Sequence, residues 1–111
     1  MGRSQPPVRV VYTGQAQRDL DETFEWNARH YGSARAETYI QFLVASIAKL
    51  TEAPYSCPLI PSGDAIRFFV IKKARSRSNY GHIAVYEVIE DNLVVHHVFH
   101  SAQNWLGYSK N

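Results

Sequence analysis

"VVHHVFHSAQNW", residues 94–105, sets three histidines within five positions and then runs into a polar stretch with a tryptophan. Three readings compete: a metal site, a catalytic base with its support, or a sheet strand that carries imidazoles. On a strand, side chains alternate faces at about 3.3 Å per residue, so His96 and His100 share a face roughly 13 Å apart while His97 points the other way. Ligands so placed cannot meet on one ion, which needs them at about 2 Å, and the lone Cys57 completes no ligand spacing. The strand reading is preferred, and no metal or cofactor is expected. His96 and His97 then read as half-buried strand residues. His100, closing the strand where a side chain can reach past the sheet edge, is a candidate for proton transfer or phosphate contact.

Two more stretches upstream have the β-branched and aromatic character of strands, 66–73 and 82–89. Glu90, Asp91 and Asn92 join the second of them to 93–100 as a hairpin. Before these, "EAPYSCPLIPSGDA" holds three prolines and a glycine and reads as a loop.

The first half of the chain carries a different period. Residues 8–12, "VRVVY", form a short strand. Thr13 is placed to cap a helix, along which Ala16, Leu20, Phe24, Ala28 and Tyr31 recur until Gly32 supplies the stop. Ser33 can cap a second helix at once, with Ala36, Tyr39, Ile40, Leu43, Ile47 and Leu50 as its stripe up to Pro54. So short a turn folds the helices back as a hairpin. The order is strand, helical hairpin, then a three-stranded antiparallel meander, an α+β arrangement with the hairpin over one sheet face. Residues 1–7 and 108–111 read as tails of a single domain over 8–107. The uncovered face is where function is expected.

A chain of 111 residues, 45% hydrophobic and 20% charged, can build one core and is not disordered by composition. No apolar run approaches the roughly 18 residues that cross a bilayer, and "MGRSQPPVRVVY" lacks the apolar segment of a secretory signal, so a cytoplasmic location is expected. Net charge is only +2, but "RFFVIKKARSR", 67–77, has five basic residues and no acid. Arg67, Lys72, Lys73, Arg75 and Arg77 can grip phosphates or an acidic protein segment, or can be a solvated hairpin tip. Trp26 lies off the main stripe of the first helix, and Phe42 with Val44 widens that of the second. Apolar ground of this kind suits a partner peptide.

These segments resemble a known family. "VVYTGQAQRDLDETFEWNARHYG" looks like the opening of the RelE and ParE toxins of bacterial toxin-antitoxin pairs, "GHIAVYEV" is similar to a ParE-type strand, and "VVHHVFH" stands where that family's last strand ends in histidine. The resemblance runs from about 8 to 105. It implies a toxin held inactive by a cognate antitoxin, in a shared oligomer, with Trp26, Phe42 and Val44 as antitoxin contacts. ParE-like members poison DNA gyrase; RelE-like members cut mRNA on the ribosome. RNA cleavage needs a base, an acid and cations around the phosphate. Lys72, Lys73, Arg75, Arg77 and His100 could supply that set, which would make the chain an endoribonuclease. The tyrosine or arginine such enzymes place just after the last strand has no match in Ser101-Ala102-Gln103, and Tyr108 comes late. This departure favours the ParE-like reading, a gyrase poison with Arg67, Lys73, Arg75, Arg77, His100 and Gln103 as target contacts, and the RelE-like endoribonuclease stays the alternative.

Overall fold

Thr13 begins the first helix as its residue type dictates. Its Oγ1 accepts the Ala16 N–H at 3.1 Å and donates to the His96 carbonyl at 3.0 Å, while its own N–H reaches the Val95 carbonyl at 3.0 Å. One residue thus caps the helix and staples it to the last strand. The computed structural model describes residues 9–61, 65–72, 81–100 and 108. They form β1 (Arg9–Tyr12), α1 (Gly14–Tyr31), α2 (Ser33–Ala48) with a 3-10 turn (Lys49–Glu52), β2 (Arg67–Ile71), β3 (His82–Ile89) and β4 (Asn92–His100). The expected α+β order is present.

On α1 the buried positions are Ala16, Leu20 and Asn27, with Thr23 half-buried between them, whereas Phe24 and Tyr31 stay exposed. The reason is geometric: steps of four residues drift about 40° around a helix each time, and only alternating threes and fours keep one face inward. Asn27 is tolerated there because its amide donates to the Thr23 carbonyl at 2.8 Å.

Gly32 makes the hairpin turn alone. Its φ of 92° and ψ of 156° lie in a region essentially reserved for glycine. It closes α1 by donating to the Ala28 carbonyl and opens α2 by accepting from the Ala36 N–H. Ser33 is therefore not the cap: it already lies inside α2, and the cap position has no side-chain hydrogen bond. At its far end α2 stops at Ala48 and tightens into the 3-10 turn before Pro54.

The strands lie in the order β1-β4-β3-β2. β2, β3 and β4 pair antiparallel, as a meander must, while β1 adds to the outside of β4 in parallel, with Tyr12 opposite Val95. The β3–β4 connection is two residues, Glu90 and Asp91, with Asn92 already in the strand, and Glu90 takes a φ of 55°. Leu20, Leu43, Ile47, Tyr86, Leu93 and Val95 fill the core between hairpin and sheet, each apolar side chain contributing roughly 1.5–3 kcal/mol by burial.

A bulge alters the histidine geometry. Val85 pairs with His97 but Tyr86 pairs with Val95, leaving His96 as an extra residue in β4. The alternation expected of a regular strand is thereby shifted by one. His96 and His97 both come against Tyr108, with ring centroids 6.3 and 5.3 Å away, while His100 turns to the helical side. His96 and His100 do not share a face.

The face away from the hairpin is not bare either. Ile60, Ile66, Ile83 and Val85 form a second small core with Phe68, Phe99 and Tyr108. Arg67 clamps the loop that precedes β2, Nη1 donating to the Tyr55 carbonyl at 3.1 Å and the Cys57 carbonyl at 2.5 Å, with the guanidinium 5.3 Å over the Tyr55 ring.

Candidate functional site

The first residue of β3 and the last of β4 face each other. His82 pairs with His100 across the ladder, their rings edge to face at 5.5 Å. Above them α1 presents Asp19, Glu22, Thr23 and Trp26 at intervals of three and four, which places all four on one flank of the helix. Between flank and sheet end lies a cleft of about 360 Å³, floored by the two histidines and Val98. That is at the small end for ligand sites, enough for a single long side chain.

His82 is the most constrained group in it. Only 2% exposed, it takes the Tyr39 hydroxyl on Nδ1 at 2.8 Å and directs Nε2 at Thr23 Oγ1, 3.4 Å away. Each ring nitrogen thus meets a hydroxyl that can donate or accept, so both are satisfied in the neutral ring. Burial pushes the pKa from 6.5 down to about 4; the neighbouring His100 adds to this and Asp19 opposes it. His82 is therefore neutral at physiological pH, and it ties α1, α2 and the sheet together.

Asp19 closes an open edge. β1 pairs with β4 only as far as Val95, so the Val98 N–H beyond it has no strand to donate to. Asp19 Oδ2 accepts that N–H at 2.9 Å and the His97 Nδ1–H at 2.9 Å, and Oδ1 accepts from the Gln15 amide. His96, beside His97, donates from Nε2 to Glu87 at 2.8 Å. Trp26, 39% exposed, stacks on His30 at 3.9 Å, and His30 Nδ1–H donates to the Trp26 carbonyl.

The residues singled out from sequence are distributed as follows. His100 lies in the cleft, and Trp26 forms part of its wall. Val44 is exposed, whereas Phe42 is half-buried against the main core, its ring 6.0 Å from Tyr39. Arg67 is engaged in the loop clamp, and Lys72 is exposed just past β2. Lys73, Arg75, Arg77 and Gln103 lie outside the described residues. Asp19, Glu22, Thr23, Tyr39 and His82 were not anticipated. The signal for the first three was present as a polar stripe sharing the helix with the apolar one; nothing local marked His82 or Tyr39. Among the described residues no three metal-binding side chains gather, and no helix is long and apolar enough to cross a membrane.

A helical hairpin laid over an antiparallel meander, with a parallel strand added outside and an acidic-aromatic cleft at the sheet end, defines a small α+β domain. Residues 10–105 match the family described as ParE toxin of type II toxin-antitoxin system, parDE. The match spans nearly the whole chain, and the protein belongs to that family. Among solved structures the chain is similar to one titled "Chromosomal ParDE TA system from P. aeruginosa", with a TM-score of 0.65 and 17% identity over 85% of this chain and 96% of that one. A search of curated proteins returned no significant match.

Proposed function

We propose that this toxin acts in the cytoplasm by inhibiting DNA gyrase through protein contacts, and that a cognate antitoxin holds it inactive in a shared oligomer. The observation that carries the choice of target is the surroundings of His100. Phosphodiester cleavage requires cations beside the acid-base group, because the reacting phosphate carries and gains negative charge. The described residues around His100 instead include the carboxylates of Asp19 and Glu22 and no lysine or arginine. A cleft of that sign repels a phosphate backbone.

Arg67, Lys73, Arg75, Arg77, His100 and Gln103 are the candidate target contacts; Trp26, Phe42 and Val44 are the candidate antitoxin contacts. The similar solved structure, a ParDE system by its title, supports an antitoxin partner. Purified protein at excess should stop gyrase supercoiling while leaving mRNA whole in a translating extract. Intact supercoiling together with cut mRNA would establish the ribonuclease reading, in which His100, Lys72, Lys73, Arg75 and Arg77 are the catalytic set.

A further inference from the structure

The cleft between α1 and the sheet end is chemically specific. Its floor includes His82, which burial holds neutral. One wall is the indole of Trp26, and the Glu22 carboxylate stands on an exposed position of α1 at its rim. Asp19, although committed to the Val98 N–H and the His97 ring, keeps its negative charge close by. An aromatic face with carboxylates around it is the arrangement that attracts a guanidinium or ammonium group, through the ring quadrupole and direct ion pairing together. The volume of about 360 Å³ accommodates one such side chain.

We propose that this cleft is the receptor for a single arginine side chain carried by a partner peptide, with Glu22 pairing the guanidinium and Trp26 stacking on it. The planar guanidinium suits both contacts at once, which a lysine ammonium does not. The identity of the peptide's owner rests on the reading of the chain as a partner-bound toxin; the chemistry of the cleft does not.

The test uses the full chain with Trp105→Phe, so that Trp26 alone reports. Acetyl-Gly-Arg-Gly-amide is titrated to millimolar concentration while indole emission is followed, beside the same peptide with citrulline, which keeps the shape and removes the charge. The arginine peptide should produce a saturable change that weakens with added salt, and the citrulline peptide should bind at least about fivefold more weakly. Glu22→Gln, at an exposed position, should weaken the arginine peptide by a similar factor while circular dichroism stays unchanged. Equal response to both peptides, or undiminished binding by the folded Glu22→Gln variant, would overturn the assignment. Neither gyrase nor antitoxin is present, so failure of the target assay and failure of this one are separate results.

Discussion

Acid should loosen this protein through His82 in particular. In the folded state the ring is buried between Tyr39, Thr23 and His100 and protonates only near pH 4, whereas in the unfolded chain it protonates near 6.5. A group whose folded pKa is depressed binds fewer protons folded than unfolded between those values, so stability is full above about pH 6.5 and falls as the pH drops toward 4. At about 1.4 kcal/mol for each tenfold, the gap amounts to roughly 3 kcal/mol, a large share of what a domain of this size possesses. The charged groups facing the ring act in both senses: protonated His100 disfavours a second charge beside it, and Asp19 on α1 favours one. Urea unfolding at pH 7.5, 6, 5 and 4.5 measures the loss, with His82→Phe as the control that fills the site without titrating. Other carboxylates and histidines contribute to both proteins, so the informative quantity is the difference between the two curves. That difference should shrink by about 2–3 kcal/mol from pH 7.5 to 4.5. Parallel curves, or a His82 ring resonance titrating near 6.5 in the folded protein, would refute the reasoning.

Other substitutions probe the remaining joints. Gly32→Ala places a Cβ on a backbone conformation reserved for glycine and should reduce stability by about 1–3 kcal/mol in thermal or urea unfolding, with the hairpin register preserved by circular dichroism. Tyr86→Phe leaves the Pro54 carbonyl without the hydroxyl that donates to it at 2.7 Å inside the core, and should cost about 1–3 kcal/mol in the same assay. Asp19→Ala removes the oxygen on which two donors converge, and should expose the Val98 amide to hydrogen exchange well ahead of its neighbours on β4. Gly81→Ala would drive a Cβ to 2.9 Å from the Ile71 carbonyl and should destabilise the β2–β3 pairing by about 1–3 kcal/mol, read by unfolding.

The parts legible from sequence were those governed by local chemistry. Thr13 and Gly32 bracket α1 because a capping hydroxyl and a glycine-only conformation act over three or four residues, and the strands 82–89 and 93–100 announce themselves by composition. Ser33 was misassigned because Gly32 alone supplies both helix ends, which no composition rule reveals. The addition of β1 beside β4 depends on contacts between residues some eighty positions apart, and the bulge that sets His96 outside the ladder on a register shift that composition does not mark. Faces assigned by alternation alone therefore failed after the bulge. The cleft was hidden for the same reason: His82 and His100 meet only through strand pairing, and Asp19 reaches them only because α1 crosses the sheet end. Arg67 read as a free cation because its acceptors are backbone carbonyls, and every residue carries one of those.

The carboxylate of Asp19 on the Val98 amide has a wider meaning for how the molecule behaves at high concentration. A strand's outer rim is a template on which other chains can zip. Here a helix stands in for the missing neighbour, its side chain occupying the amide where an incoming backbone would dock. The toxin's safeguard against stacking on itself is thus bound up with the seating of its first helix, and whatever pries that helix away also uncovers the rim.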